Sequence, residues 1–253
     1  MLTQILWWGC NALIALLLLR SLTGGFFRKY PMFYVYLSYV FLQSLLRFYI
    51  YIFHPTAYQS FWWHTQFIGV TLGYGVIWEI YLQTLANYAG AARMARIFLS
   101  VVFMAVVIKV LTSSVSGPVW SGPATTVDLE RNLRTAQVLL LITIVGLLAY
   151  YAIPIGRNLR AMILGYGFFV GASVASLILR SYLGTRFQPL WQYLQQTIYG
   201  ATLAIWCTGL WLYSPNPAPG DEARLERDYE LLAAQTARLL AQVRAYLMRA
   251  VRP

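Results

Sequence analysis

Long hydrophobic runs separated by short polar segments make up most of the first 213 residues of this chain. A helix needs about 20 mostly apolar residues to cross a lipid bilayer. Seven segments meet this requirement, namely residues 3–20, 31–53, 63–88, 96–113, 134–154, 160–182 and 190–213. The pattern predicts an all-α integral membrane protein whose residues 1–213 form a bundle of seven transmembrane helices.

The loops between these segments alternate in their content of lysine and arginine. The first, third and fifth loops carry the basic residues Arg20, Arg28, Lys29, Arg93, Arg96, Arg157 and Arg160. The second loop, residues 54–62, carries neither lysine nor arginine, and only the sixth loop argues weakly against the alternation. Because basic residues concentrate in cytoplasmic loops, we expect a multi-pass protein of the cell (inner) membrane, with its N-terminus outside and its C-terminus in the cytoplasm.

The fourth loop, residues 113–132, is the only long one. Its Gly-Pro pairs indicate turns, and Thr125 with Asp128 resembles a capping box that opens the fifth helix above the bilayer. The negative charges of Asp128 and Glu130 offset the positive charges of Arg131 and Arg134 at this loop, which agrees with an outer position. The sequence thus predicts an irregular cap or lid on the outer face, and a role of this loop in binding is the alternative.

The C-terminal region has a different composition from the bundle. Residues 214–220 form a stiff Pro/Gly linker, and residues 221–253 follow with apolar positions at three- and four-residue spacing, which predicts a cytoplasmic amphipathic helix. Its distal half carries Arg238, Arg244, Arg249 and Arg252. These charges suit an anionic membrane surface, while a coiled-coil or partner-docking helix is the other interpretation.

Composition agrees with a membrane protein. The chain has 253 residues, of which 59% are hydrophobic and 11% charged, against roughly 25% charged in soluble domains. The net charge of +11 sits in loops and tail, which is typical of membrane topology rather than of nucleic-acid binding. The two cysteines, Cys10 and Cys207, lie inside predicted spans, so neither a disulfide framework nor a thiolate metal site is indicated.

A few polar residues within the spans are candidates for function. Buried amides and charges in a membrane need partners, and most of these polar positions fall in the outer half. The hypothesis is an outward-facing pocket for a small ligand, an anion being one candidate, lined by Arg47, Gln66, Glu79, Gln192, Gln195 and Tyr199. The alternative is a structural network in which Arg47, Glu79 and the glutamines satisfy one another and nothing binds.

The sixth predicted helix contains small residues at four-residue spacing. Gly167, Gly171 and Ala175 form a ladder that lets two helix backbones approach closely. The ladder predicts packing within the bundle, and the alternative is a homodimer face. The sixth helix or the C-terminal helix would then mediate a homodimer or a hetero-complex.

Several chemistries are disfavoured by the residues present. The only lysines are Lys29 and Lys109, so the seventh helix lacks a lysine for a retinal Schiff base, and His54 and His64 lie at the outer margin rather than in a haem site. The sequence contains no HExxH or GxSxG motif. We therefore expect no enzymatic activity, no cofactor and no metal.

In helix number and orientation the chain resembles bacterial seven-helix membrane proteins of the sensor or receptor kind. The first functional expectation is a non-enzymatic module that binds or senses a ligand from outside and is coupled to the cytoplasmic helix. The second is a structural or accessory subunit of a larger membrane assembly, and the third is a small-solute transporter. The lipid bilayer is the expected partner, and nucleic acid is not.

Overall fold

The computed structural model describes residues 2–85, 101, 104, 123–150, 153–183, 188–216, 230, 231, 234, 235 and 238. Side chains at 2–3, 123–129, 181, 188–189 and 192 are not described. Three predicted segments lie wholly or mostly outside these ranges. They are the fourth predicted span (96–113) except residues 101 and 104, residues 217–220 of the linker, and most of the C-terminal helix, including Arg244, Arg249 and Arg252.

The described chain is helical and, within these ranges, contains no strand. Its helices are α1 (Leu2–Gly24), α2 (Phe26–Lys29), α3 (Pro31–Phe53), α4 (Tyr58–Leu85), α5 (Pro123–Tyr150), α6 (Arg157–Leu183) and α7 (Gln188–Leu210). The six long helices correspond to six of the seven predicted spans. The fifth predicted span began at residue 134, whereas α5 begins at Pro123, so the second part of the predicted outer loop is helical.

Within the described part of the chain, four helices are long and apolar enough to cross a membrane: Gln4–Gly24, Pro31–Phe53, Glu130–Tyr150 and Arg157–Arg180. Large apolar side chains on their outer faces are exposed, among them Leu19, Leu46, Leu139 and Leu164. A soluble protein rarely exposes so much apolar surface. The prediction of an all-helical membrane protein is confirmed to this extent; α4 and α7 are not among the four.

The long helices form a closed ring in chain order. Each contacts the next from α1 through α3, α4, α5 and α6 to α7, α7 closes the ring against α1, and α4 also contacts α6. Buried aromatic rings lie inside it, such as Phe33 against Trp206 at 4.9 Å between centroids. The ring encloses the space in which polar side chains can meet.

The bundle has two distinct ends. At the Tyr58 end, α1 begins and the short connection 54–57 joins α3 to α4. At the Gly25 end, α1 stops at Gly24, and Gly25 adopts a left-handed φ of 66° that favours glycine and turns the chain into α2. Pro31 then occupies the first turn of α3, where its missing N–H has no helical partner to lose.

Candidate ligand-binding cavity

A cavity of about 600 Å³ lies within the helix ring toward the Tyr58 end. All six long helices contribute to its wall. Along α3 it extends from Tyr36 to Tyr51, which is roughly 22 Å at 1.5 Å per residue. Gln4 and Tyr51 line it and are exposed, so the cavity reaches the surface of the protein. Its volume lies within the range of small-molecule sites, about 300–1,000 Å³.

Arg47 enters the cavity from α3 and is held by the first turns of α4. Its Nη2 donates to Thr65 Oγ1 at 2.9 Å, to the Trp62 carbonyl at 3.1 Å and to Gln66 Oε1 at 3.1 Å, and its Nε donates to Thr65 Oγ1 at 3.1 Å. The guanidinium carbon also lies 5.1 Å from the centre of the Trp62 ring. All these acceptors are neutral, so the positive charge of Arg47 is positioned but not neutralised by them.

Gln66 links Arg47 to a second arginine on α5. Its Nε2 donates to Glu130 Oε1 at 2.7 Å, and the same oxygen accepts from Arg134 Nε at 2.8 Å. Arg134 is 5% exposed and lies 5.2 Å above the Phe169 ring. Within the described chain its two terminal nitrogens have no hydrogen-bond acceptor. Much of this buried guanidinium is therefore available to a molecule in the cavity.

The charged groups of this network do not balance. Arg47 and Arg134 bring two positive charges, and Glu130 brings one negative charge. The described residues of the network thus carry a net charge of +1, beside a cavity that is lined by aromatic, aliphatic and neutral amide side chains. Because an unpaired charge is costly in such surroundings, the cavity favours an anion.

Several residues that line the cavity carry a buried polar atom without a hydrogen-bond partner. Nine buried side-chain polar atoms in the described residues have no hydrogen-bond partner. Six of them belong to residues that line the cavity, namely Asn11 Oδ1, Gln43 Nε2, Gln137 Oε1, Gln195 Oε1, Gln196 Oε1 and Tyr199 OH. Leaving a buried polar group unsatisfied costs about 1–3 kcal/mol. Six such costs on the residues of one cavity wall favour a binding role for this cavity over a network that satisfies itself.

The structure brings four of the sequence-predicted pocket residues to this cavity: Arg47, Gln66, Gln195 and Tyr199. Gln192 belongs to α7, but its side chain lies outside the described part of the chain. Glu79 does not line the cavity. It lies on α4 thirteen residues beyond Gln66, or roughly 20 Å farther along the helix, where its carboxylate accepts the backbone N–H of Met32 and of Phe33.

Sequence reasoning missed Arg134, which it assigned to the outer loop as a charge offset by acidic neighbours. In the structure Arg134 is buried in α5 and lines the cavity. Glu130, Arg134 and Gln137 follow one another at spacings of four and three residues, which places them on one helix face. That spacing could have predicted the polar face of α5. The start of the helix was instead predicted from the hydrophobic run that begins at residue 134.

The small residues of α6 have a different environment from the expected one. A Cβ at Gly167 or Gly171 would meet no described residue within 4 Å, and Ala175 is exposed. Close approach of α6 and α7 occurs elsewhere: a Cβ at Gly165 would collide with the Trp206 indole, and one at Gly209 with Ala161. The expected packing ladder therefore faces away from the described bundle.

Comparison of the chain with protein-family models, with curated proteins and with solved structures gives no match. The described residues also contain no group of three or more His, Cys, Asp or Glu side chains that could hold a metal ion. Functional inference therefore depends on the geometry of the cavity.

Proposed function

We propose that this chain is a non-enzymatic seven-helix membrane protein that binds a small ligand in the cavity and transmits the bound state to a cytoplasmic C-terminal helix. The convergence of six unpaired buried polar atoms on one cavity carries the proposal. A purely structural network would satisfy such atoms within the protein. Here they come from α1, α3, α5 and α7, on residues that line one cavity.

The topology of the chain supports seven crossings. α4 and α5 run in the same direction, since Gln66 bonds to Glu130 near the start of α5 and Gln137 bonds to Val70 farther along α4. Leu85 and Pro123 therefore lie at opposite ends of the bundle. This placement of the two helix ends supports the expected span at 96–113.

Basic residues favour one orientation of this bundle. The Gly25 end carries Arg20, Arg28, Lys29, Arg157 and Arg160. The connection 54–57 at the other end carries no lysine or arginine. The positive-inside rule then assigns the Gly25 end to the cytoplasm and opens the cavity to the outside.

A structural path connects the cavity helices with the segment that leads to the C-terminal helix. Arg20 of α1 donates to the Trp211 carbonyl at 2.9 Å, and Asn158 of α6 donates to the Leu212 carbonyl at 2.8 Å. Asn216 donates to the Gln83 carbonyl of α4 at 3.2 Å. Because α1, α4 and α6 all line the cavity, a rearrangement of these helices on binding would displace residues 211–216.

Native mass spectrometry of the gently solubilised protein tests the proposal. We expect wild-type protein to retain a small molecule of defined mass, and the double variant Gln43→Leu/Gln195→Leu to lose it. Gln83→Leu is the matched control, since Gln83 lies at the Gly25 end and donates to the Lys29 carbonyl. If the folded protein neither retains nor binds a small molecule, the proposal is wrong. A hetero-complex that contains no small molecule would favour the accessory-subunit alternative.

The accessory-subunit alternative has one observation of its own. Gly167 and Gly171 lie on a helix face that the described residues leave uncovered. Small residues at this spacing suit close contact between membrane helices. This face would then dock a partner helix within a larger assembly, and the cavity would hold only water.

A further inference from the structure

We infer that the ligand of this cavity is a hydroxylated organic anion, whose carboxylate or phosphate oxygens contact the guanidinium groups of Arg47 and Arg134. This inference rests on the proposed ligand-binding function and specifies the chemistry of the bound molecule. It follows from the charge of the network, from the geometry of the two arginines and from the unpaired amide groups opposite them.

The two arginines differ in the acceptors that they already contact. Among the described residues, Arg47 donates only to neutral acceptors. Arg134 donates a single N–H, from Nε, to Glu130. Arginine presents a planar fork of N–H groups that matches the two oxygens of a carboxylate or a phosphate. The terminal nitrogens of Arg134 form such a fork, and they belong to a side chain that is only 5% exposed.

The two guanidinium groups are also fixed relative to each other. One Gln66 side chain accepts from Arg47 through Oε1 and donates to Glu130 through Nε2, and Glu130 in turn holds Arg134. Trp62 and Phe169 support the guanidinium faces from α4 and α6. The result is a prearranged cationic pair in which an anion can replace water without a large movement of side chains.

The remaining polar atoms define the rest of the ligand. Four amide oxygens, on Asn11, Gln137, Gln195 and Gln196, lack a donor among the described residues. Because each of these oxygens is almost inaccessible, a ligand that satisfies them has to bring O–H or N–H groups toward which the amide side chains reorient. Hydroxyl groups fit best, because each one can donate to an amide oxygen and accept from a donor such as Gln43 Nε2 or the Tyr199 hydroxyl.

The first experiment identifies the molecule that purified full-length protein retains, by releasing it with denaturant and measuring its mass, charge and fragmentation. We expect an anion with several hydroxyl groups. It should be absent from Arg47→Gln and Arg134→Lys protein and present in the Gln83→Leu control. Arg134→Lys keeps the charge beside Glu130 but removes the fork, so it separates ligand contact from a folding defect. A neutral or cationic retained molecule, or equal retention by both arginine variants, would overturn the inference while leaving ligand binding intact.

The second experiment uses defined probes in protein freed of retained molecules. D-glucuronate and glucose 6-phosphate represent soluble hydroxylated anions, phosphatidylglycerol represents a lipid headgroup with the same chemistry, and D-glucose and diacylglycerol are the uncharged counterparts. We expect at least one anionic probe to raise the unfolding temperature more than its uncharged counterpart. Its affinity should fall about ten- to a hundredfold in each arginine variant.

The outcomes of the probe experiment separate the two proposals. Stabilisation by the sugars alone would indicate a soluble ligand, and stabilisation by phosphatidylglycerol alone would indicate a lipid. Equal stabilisation by charged and uncharged probes would overturn the anion inference only. If no probe stabilises the protein and no molecule is retained, the cavity holds water and the proposed function fails as well.

Discussion

The carboxylate of Glu79 on α4 accepts the backbone N–H of Phe33 on α3 at 2.8 Å, and its other oxygen accepts the N–H of Met32 at 3.2 Å. These N–H groups belong to the first turn of α3, where a helix has donors without partners. Tyr30, at the N-cap position, makes no side-chain capping bond. Glu79 therefore caps a neighbouring helix, with its negative charge at the positive end of the helix dipole.

Replacing Glu79 tests this interhelical cap. Glu79→Ala should lower the free energy of unfolding by about 1.5–3 kcal/mol, because a buried donor at Phe33 and a part-buried donor at Met32 lose a charged acceptor. Glu79→Gln should cost less, since one amide oxygen can still accept. Reversible unfolding in detergent micelles, followed by tryptophan fluorescence, measures both differences. Glu230→Gln is the control, because Glu230 is exposed and lies outside the bundle; equal stability of wild type and Glu79→Ala would refute the capping role.

Two glycine substitutions distinguish the inner face of the bundle from its outer face. At Gly209 an added Cβ would collide with Ala161 of α6, so Gly209→Ala should destabilise the protein by about 1–3 kcal/mol. At Gly167 no described residue lies within 4 Å of an added Cβ. Alanine is about 0.5–1 kcal/mol better than glycine within a helix, so Gly167→Ala should leave stability unchanged or raise it.

The same unfolding assay compares the two glycine variants, and size-exclusion chromatography with light scattering reports their oligomeric state. If Gly167→Ala destabilised the fold as much as Gly209→Ala, the outward placement of the α6 ladder would be wrong. A selective loss of self-association in Gly167→Ala would support the docking interpretation of that face.

The two cysteines provide a test of access to the cavity. Cys10 is buried and lines the cavity, whereas Cys207 is half-buried and lies near the opposite end of α7. In right-side-out vesicles a small anionic methanethiosulfonate should modify Cys10 in the Cys207→Ser variant, because water can reach it through the cavity. The Cys10→Ser variant retains only Cys207 and should not react. Modification of Cys10 only in inside-out vesicles would contradict the proposed orientation.

Local features of the sequence predict the helices well. The span at 31–53 has the same bounds as α3, because Pro31 starts a helix readily and the apolar run continues to Phe53. Gln195 and Tyr199 are four residues apart, so helical spacing also predicts that they share one face of α7.

The capping role of Glu79 depends on residues that are distant in the sequence. Glu79 is an acidic residue within an apolar helix, and this local pattern indicates that its side chain faces protein rather than lipid. In the structure Glu79 is buried. The local pattern does not indicate a helix start, because the two N–H groups that Glu79 accepts lie 46 and 47 residues away. The same limit applies to Arg134, whose burial depends on where α4 and α6 lie against α5.

The sequence by itself determines an all-helical membrane protein, the bounds of its described helices to within a few residues except at the start of α5, and the polar residues that require partners. Hydrophobic run length and helical periodicity are local properties, and they are sufficient for these conclusions. The tertiary structure decides that Arg47, Arg134, Gln195 and Tyr199 surround one cavity while Glu79 caps a helix at the other end. The physical reason is that closure of the helix ring sets which polar faces meet, and hydrogen bonds between helices depend on distances in space.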